Sequence, residues 1–313
     1  MAYAAGIDIG GTTIKLGLFS DTGVLKDKWE IPTRTEENGK YIFSDIADAL
    51  LSKLNTMDLG LGDLVGVGVD VPGAVLPDGT VNKCVNLGWG VIRAGDMLSE
   101  ALGGIKTAVC NDANAAALGE AWRGAGNGAD SMCMVTLGTG VGGGIILNGK
   151  IVEGAFGACG EVGHIPYNDD ETETCGCGKK GCVEQYASGS GIARMCRRKL
   201  VADGRDSALR GYDAPDAKII FDEAKNGDAV ALELVDDFSK VLGKTLAIIS
   251  AVIDPELFVI GGGVSKNGPI VTEGIQKYFR KYAFHASRDA RIELATLGND
   301  AGMYGAVHLI LGD

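Results

Sequence analysis

The chain has 313 residues, 46% of them hydrophobic, and a formal net charge of −12. Its length predicts two domains with a sizeable core. The acidic balance and the absence of a basic stripe argue against DNA or RNA as the main partner, because nucleic-acid-binding domains neutralise phosphates with clustered lysine and arginine. No membrane span is expected, since no run of roughly 18 apolar residues is free of charges.

The glycine and cysteine contents indicate further properties of the protein. The 49 glycines are not periodic and lie between apolar runs, which predicts many tight turns and close backbone approaches. The first five residues contain no basic segment, so we expect no secretory signal and a cytoplasmic location. There, eight cysteines favour free thiols or a metal site over a disulfide framework.

The first third of the chain has the pattern of an α/β unit. Closely spaced apolar runs with turn residues between them predict an opening antiparallel meander. Helical spacing of apolar residues follows, and an almost uniformly apolar run then predicts a strand buried on both faces. The pattern predicts strands over 4–9, 14–19, 25–31, 64–71 and 106–110 and helices over 39–58 and 94–103.

The rest of the chain repeats this order after a helix over 113–123. A second hairpin carries a glycine–threonine turn at 138–140, like the turn at 10–13. An internal duplication of two α/β halves would explain this, and so would the general preference of hairpin turns for glycine. Residues 159–182 and 203–217 are predicted loops. The remaining pattern predicts helices over 188–201, 228–253, 270–283 and 300–311 and strands over 132–137, 142–147, 256–260 and 291–295.

Three glycine clusters are candidate phosphate sites. Glycines let backbone N–H groups approach an anion, and threonine hydroxyls add donors. A strand that ends in glycine before a helix, as at Gly262, suits a nucleoside phosphate. Any one cluster alone could be structural, but three together favour a nucleotide. The two hairpin turns contain Gly10, Gly11, Thr12, Thr13, Gly138, Thr139 and Gly140.

Two charged residues flank the first turn. Asp8 ends the first strand and could hold Mg²⁺ through water, because Mg²⁺ prefers carboxylate and phosphate oxygens. Lys15 lies two residues past the turn and could reach a phosphate. A plain hairpin with a capping aspartate is the structural alternative.

Asn111 and Asp112 stand between a buried strand and a helix. In α/β folds, ligands bind at such strand ends. Asp112 could be an ordinary helix N-cap. It could equally be a general base that accepts a proton from an attacking hydroxyl. The local sequence leaves both interpretations open.

A cysteine-rich segment predicts a zinc site. His164, Cys175, Cys177 and Cys182 form a Cys₃His set, which is typical of structural zinc. Four protein ligands leave no open position for a catalytic water, so we expect an architectural role. Cys159 is a weaker candidate ligand because it adjoins a glycine pivot.

Polar residues around this segment suit a sugar. A metal bound by the segment between Glu161 and Glu184 would hold these two carboxylates close together. Carboxylates and amides grip sugar hydroxyls by accepting hydrogen bonds from them. Asn86 and Gly73 could complete such a pocket.

These residues resemble the ROK family of sugar kinases, within the actin-like ATPase superfamily. The resemblance covers about residues 5–311, and its most specific parts are 161–164 and 175–184. The segments 8–13 and 111–114 also match.

The resemblance implies the two-domain actin-like (ribonuclease H-like) ATPase fold with an interdomain cleft. One α/β domain would span 1–112 and be completed by a helix over 300–313. A larger α/β domain over 113–299 would carry the zinc loop. ATP, Mg²⁺ and structural Zn²⁺ are the implied cofactors, a hexose is the implied substrate, and a homodimer or homotetramer is the implied assembly.

The resemblance also implies a role for each site residue. Asp112 would be the catalytic base and Asp8 would orient Mg²⁺. His164 would offer one ring nitrogen to zinc and the other to the sugar. The two glycine–threonine turns would surround the ATP phosphates, with Gly262 near the α-phosphate and ribose. The implied sugar-binding residues are Gly73, Asn86, Asn111, Asp112, Glu161, His164 and Glu184.

The implied reaction is in-line phosphoryl transfer from ATP to a hexose, most often glucose, which gives glucose 6-phosphate. Kinases for fructose, allose, N-acetylmannosamine and N-acetylglucosamine share these motifs, and polyphosphate stays open as a donor. A sugar-sensing regulatory protein is the non-enzyme alternative. The intact Asp112 and phosphate turns argue against it, as does a first strand at about residue 5, because the family's repressors place a DNA-binding segment before that strand.

Overall fold

The computed structural model describes residues 2–312, so positions 1 and 313 of the predicted domain ranges lie outside the described residues. Two five-stranded mixed sheets form the framework. The strands are β1 (Tyr3–Ile9), β2 (Thr13–Ser20), β3 (Leu25–Pro32), β4 (Leu64–Val71), β5 (Thr80–Cys84), β6 (Trp89–Arg93), β7 (Thr107–Asn111), β8 (Ser131–Leu137), β9 (Val141–Leu147), β10 (Lys150–Ile151), β11 (Leu257–Gly261) and β12 (Arg291–Leu294). The helical segments are α1 (Glu36–Gly39), α2 (Ile42–Thr56), α3 (Ala94–Ala101), α4 (Asp112–Arg123), α5 (Glu184–Ala187), α6 (Gly189–Ala202), α7 (Ala217–Lys225), α8 (Ala229–Ile253), α9 (Pro269–Tyr282) and α10 (Ala301–Leu311).

The two large sheets have the same topology. The first has the order β3-β2-β1-β4-β7 and the second β10-β9-β8-β11-β12. In each, an antiparallel three-stranded meander joins two further parallel strands through its first strand. The α/β class is therefore confirmed. The repeated order and pairing directions favour internal duplication over a chance likeness of two glycine turns.

Local sequence accounts for most of these elements. In β4 every residue except Val65 is buried, as its almost uniformly apolar sequence predicts. The predicted helix over 39–58 corresponds to α2, and the short segment α1 precedes it. Glu37 and Asn38 in α1 adopt left-handed backbone conformations that separate it from α2, and Gly39 follows with φ +66°.

The sequence pattern did not predict the hairpin of β5 and β6, the helix α7 or the short segments β10, α1 and α5. The hairpin of β5 and β6 is short and carries polar residues, so it lacks the apolar pattern of a buried strand. The segment 203–217 was expected to be a surface loop, yet Leu209 is fully buried and α7 begins at Ala217. The helix start had a signal, because Asp216 accepts a hydrogen bond from the Ile219 N–H as an N-cap.

Helix α10 packs against α4 and against β1 and β4 of the first sheet. The contact is close because small residues meet backbone: a Cβ at Gly305 would overlap the carbonyl oxygen of Ala115, and one at Gly68 that of Ala306. Among the described residues, no helix combines the length and the apolar content that crossing a bilayer requires.

Candidate active site

A cleft of about 960 Å³ lies where strands of both sheets end. The first sheet contributes residues at the carboxyl ends of β1, β4 and β7, and the second contributes β8, β9 and the segment after β12. Most of the residues singled out in the sequence share its lining. Those that line the cleft are Asp8, Lys15, Gly73, Asn86, Asn111, Asp112, Gly138, Gly140, Glu161, His164, Glu184 and Gly262.

The first glycine–threonine turn is placed differently from the second. Gly10, Gly11, Thr12 and Thr13 are not part of the cleft lining, nor is Thr139 of the second turn. Gly11 lies close to Asn86 at the rim of the cleft. Thr33 fixes the turn there, because its hydroxyl donates to the Gly10 carbonyl at 2.6 Å and its N–H donates to the Thr12 carbonyl at 2.9 Å.

Asn111 is the N-cap of α4. Its side-chain oxygen accepts hydrogen bonds from the N–H groups of Ala113 and Asn114 at 2.9 and 3.1 Å. Its amide nitrogen donates to the Gly73 carbonyl and to Asp112 Oδ1, each at 2.9 Å. The helix N-cap that the sequence suggested for Asp112 is therefore Asn111.

Asp112 is held in the wall of the cleft. Its Oδ1 accepts the Asn111 amide and the Ala113 N–H at 2.8 Å. The carboxyl is open to the cleft yet has protein on most sides. This loss of bulk water raises its pKa to about 6, with the nearby charges of Asp8 and Glu161 adding to the rise. At neutral pH it is an ionised carboxylate and a better proton acceptor than an ordinary aspartate.

A pair of carboxylates, Asp8 and Asp70, lies at the bottom of the cleft. Asp8 and Asp70 are register partners on the adjacent parallel strands β1 and β4. Lys15 Nζ forms an ion pair with Asp8 Oδ2 at 2.7 Å and donates to the Asn299 carbonyl at 3.4 Å. Asp70 is 1% exposed, and burial together with the charges of Asp8 and Asp112 raises its pKa well above the usual range.

Sequence reasoning missed Asp70, although an acidic residue next to the end of an otherwise apolar strand was a usable signal. It also missed Ser265 and Lys266, which line the cleft just after the third glycine cluster. Lys266 could have been found as a cation close to a candidate phosphate turn.

The predicted metal ligands converge. One ligand atom each from His164, Cys175, Cys177 and Cys182 lies within 4.8 Å of all the others. The Cys177 and Cys182 sulfurs are 3.6 Å apart, and Cys175 Sγ is 3.8 Å from His164 Nδ1. Among residues 2–312, the group does not include Cys159, which lies elsewhere in the cleft wall. Three thiols and an imidazole nitrogen at this separation suit a tetrahedral zinc ion.

The metal group adjoins the polar end of the cleft. His164 Nδ1 faces the cysteines, while its Nε2 lies 3.8 Å from Glu161 Oε2. Glu184 Oε1 lies 3.5 Å from Cys175 Sγ, and its Oε2 accepts the Val141 N–H at 2.9 Å. The segment between β10 and α5 carries all four converging side chains and is called the metal loop below. These contacts hold Glu161 and Glu184 beside it.

A buried ion network, absent from the sequence-based expectations, anchors that loop. Glu171 is 6% exposed and accepts hydrogen bonds from Arg194, Arg198 and the Tyr186 hydroxyl. These donors hold its pKa far below the usual range, with the bond from Arg198 the largest cause. The network ties the metal loop to α6.

Comparison with known proteins gives consistent relatives. The model of the ROK family matches residues 4–312. The glucokinase of Halalkalibacterium halodurans is 42% identical, covering 98% of this chain and 94% of its own length. An N-acetyl-D-glucosamine kinase of Salmonella gallinarum is 33% identical, covering 98% of this chain and 99% of its own. A solved ROK family glucokinase from Streptomyces griseus, in complex with glucose and AMPPNP, has a TM-score of 0.78 and 34% identity, covering 98% of this chain and 99% of that one.

Proposed function

The chain belongs to the ROK family, and from that premise we propose that it transfers the terminal phosphoryl group of ATP to glucose, giving glucose 6-phosphate and ADP. One observation carries the proposal. The Asp112 carboxylate, with its raised pKa, lines the same cleft as the glycines of the second turn and the polar residues beside the metal group. A base, a phosphate cradle and a polar pocket thus share one cavity.

The polar end of the cleft would bind the sugar. Glu161 and Glu184 present acceptors on one side, where His164 Nε2 would be an N–H donor once Nδ1 binds the metal, and Asn86 with the Gly73 backbone lies on the other side. Asn111 stands between them and already contacts both Gly73 and Asp112. Hydroxyl groups of a hexose are donors that suit such acceptors.

Asp112 would act as the general base. As the sugar hydroxyl attacks the terminal phosphorus, its O–H bond breaks and the proton moves to the Asp112 carboxylate. The new O–P bond forms in line with the breaking bond to ADP, so positioning and charge neutralisation provide most of the catalysis.

The phosphates would lie against glycine backbone. Gly138, Gly140 and Gly262 line the cleft, where N–H groups and the absence of a side chain allow close approach. The turn at 10–13 lies at the rim, so we propose that closure of the cleft carries it over the phosphates. Closure would also exclude water, which competes with the sugar as acceptor.

The residues present fit the two implied metals. Asp8 and Asp70 supply carboxylate oxygens, the donors that Mg²⁺ prefers, at the bottom of the cleft. Mg²⁺, when bound with ATP, supplies charge neutralisation at the phosphates. The Cys₃His group would hold zinc in an architectural role, fixing the loop that carries Glu161 and Glu184.

The domain division belongs to the same proposal. Residues 1–112 with the C-terminal helix would form one domain and 113–299 the other; the packing of α10 on β1 and β4 supports this. A homodimer or homotetramer in the cytoplasm, where ATP is abundant, follows from the family resemblance.

A panel of sugars tests the substrate. ADP release is measured with glucose, fructose, allose, N-acetylglucosamine and N-acetylmannosamine at equal concentrations. We expect the highest kcat/KM for glucose. A preference for an N-acetyl sugar would transfer the assignment to the N-acetylhexosamine kinases, a class that includes a relative at 33% identity. Binding of a sugar without ADP release would indicate a sensor.

A further inference from the structure

Glu120 is a buried carboxylate on the helix that begins with the proposed general base. It lies near the end of α4, about two helical turns beyond Asp112, and it is 0% exposed. Burial of a carboxylate is strongly unfavourable unless hydrogen bonds replace the water that it loses. Glu120 is not part of the cleft lining, so the groups of the protein that bind it show what it does.

The Glu120 carboxylate holds the stretch of chain that follows β12, residues 295–300, called the crossing segment below. Oε1 accepts the N–H groups of Thr296 and Leu297 at 2.9 and 2.7 Å. Oε2 accepts the Thr296 N–H at 3.1 Å and the Thr296 hydroxyl at 3.3 Å. Oε2 also accepts the Ala125 N–H at 2.8 Å, just after α4. Both oxygens thus fasten the crossing segment to the end of α4.

The crossing segment passes between the two sheets and forms part of the cleft wall. It leads from β12 of the second sheet to α10, which packs against β1 and β4 of the first. At its start the Ala295 N–H donates to the Ile260 carbonyl of β11 at 2.9 Å, close to Gly262. The segment therefore lies at the end of the cleft where the nucleotide is proposed to bind. Its cleft-lining residues are Ala295, Thr296, Gly298 and Asn299.

The far end of the crossing segment has weaker attachments to the first sheet. Lys15 Nζ donates to the Asn299 carbonyl at 3.4 Å, which is long for a hydrogen bond. Lys28 Nζ forms an ion pair with Asp300 at 2.7 Å, but the lysine is 54% exposed, and exposed pairs contribute little. The buried, charge-assisted bonds to Glu120 are therefore the stronger attachment.

We propose that Glu120 is a positioning residue that fixes the nucleotide wall of the cleft relative to the general base. The inference rests on the proposed function and adds to it a residue outside the cleft. Asp112 at one end of α4 and the crossing segment at the other then belong to one rigid unit. The sugar hydroxyl beside Asp112 and the phosphates meet at the correct distance only if that unit holds, because small misplacements of reacting groups cost rate.

Separate measurements of nucleotide and glucose binding test the inference. Glu120→Gln keeps the size of the side chain but turns an NH₂ group toward N–H groups that need an acceptor. Calorimetry with AMPPNP and Mg²⁺ should show about tenfold weaker binding, as expected for loss of a hydrogen bond to a charged group. The KM for ATP should rise by a similar factor, and kcat should fall. The glucose Kd should not change, because other contacts hold Glu161 and Glu184.

Asp228→Asn is the matched control, because Asp228 is also a carboxylate that accepts backbone N–H groups. It caps α8 outside the cleft lining and accepts the N–H groups of Ala231 and Ala208 at 2.9 and 2.7 Å. Asp228→Asn should lower the Tm and leave both affinities unchanged. Asp206→Asn changes an exposed carboxylate outside the cleft lining and should match the wild type in every measurement.

Leu297→Pro provides a second variant if Glu120→Gln does not fold. The Leu297 φ of −79° suits proline, and proline lacks the N–H that Glu120 Oε1 accepts. The affinity for AMPPNP should again fall, and the affinity for glucose should not.

Two results would overturn the inference. Equal losses of AMPPNP and glucose affinity in Glu120→Gln would indicate a general loosening of the protein. A lower Tm with unchanged AMPPNP affinity and unchanged kcat would make Glu120 a structural residue only. Failure of the proposed function is distinguishable, because the wild type would then bind AMPPNP and phosphorylate no hexose, while the AMPPNP affinity of the variant still tests Glu120.

Discussion

At the start of α4, Asn111 and Asp112 perform different tasks. Asn111 satisfies the exposed N–H groups of the first helical turn and bonds to the Gly73 carbonyl across the first sheet. Its amide also fixes Asp112 Oδ1. Because the cap is provided by its neighbour, Asp112 can face the cleft and take part in proton transfer.

Asp112→Asn should abolish turnover and leave glucose affinity nearly intact. The amide has the shape of the carboxyl but cannot accept a proton, and removal of a general base typically costs about 10² to 10⁴ in rate. Steady-state kinetics give kcat, and calorimetry with AMPPNP present gives the glucose Kd. Asp206→Asn is the control and should match the wild type. Comparable losses of affinity and rate would assign Asp112 a structural role.

The pH dependence follows from the same carboxyl. A pKa of about 6 means that Asp112 becomes protonated as the pH falls through 6, and a protonated carboxyl cannot accept the hydroxyl proton. We therefore expect kcat/KM to be flat above about pH 7 and to fall roughly tenfold per unit well below pH 6. A rate that stayed flat down to about pH 4, the range of an ordinary aspartate, would contradict this.

Among the larger elements, we expect the order of the metal loop to depend most on a bound ion. Between β10 and α5 it contains only short turns, and four side chains from it converge on one point. Zinc binding would tie these turns together and hold Glu161 and Glu184 at the cleft.

Metal analysis tests the loop. We expect about one zinc per chain in protein purified without chelator, loss of that zinc in Cys177→Ser, and a lower Tm for the variant. Cys159→Ser is the matched control, since Cys159 lies outside the converging group, and it should keep its zinc. No zinc in the wild type, or its loss in Cys159→Ser, would show that the ligand set is wrong.

The crossing of α4 and α10 depends on a glycine. Gly305 faces the Ala115 carbonyl so closely that a Cβ there would overlap it. Gly305→Ala should lower the free energy of unfolding by about 1–3 kcal/mol net, because the overlap outweighs the better helix propensity of alanine, about 1 kcal/mol. Gly62→Ala has open space and should be near neutral. Denaturant titration measures both, and equal effects would contradict the packing described here.

At the scale of the whole molecule, the sequence predicted the strands and helices better than it predicted where site residues lie relative to one another. Most strands and helices followed from local apolar patterns, and the converging cysteines followed from their close spacing in the sequence beside a histidine. Asp70 was missed because its importance depends on Asp8 coming beside it across two paired strands. The turn at 10–13 lies at the rim because Thr33, about twenty residues away, fixes it there. An acidic residue in an apolar strand marks Asp70 itself, but local sequence does not show which residue either Asp70 or Thr33 contacts.

The proposed closure of the cleft would involve the whole chain. Glucose and AMPPNP together, with a divalent cation, should bring the two sheets closer and lower the radius of gyration measured by small-angle X-ray scattering. Either ligand alone should give a smaller change. A radius that does not change with both ligands bound would leave the turn at 10–13 too far out for its proposed role.

The most direct test of the central claim is the identity of the product. Purified protein is incubated with glucose, ATP and Mg²⁺, and ADP and glucose 6-phosphate are measured separately, the latter with glucose-6-phosphate dehydrogenase. We predict that the two products form in equal amounts with the wild type and that neither forms with Asp112→Asn. ADP without glucose 6-phosphate, or bound glucose with no ADP, would contradict a glucose kinase.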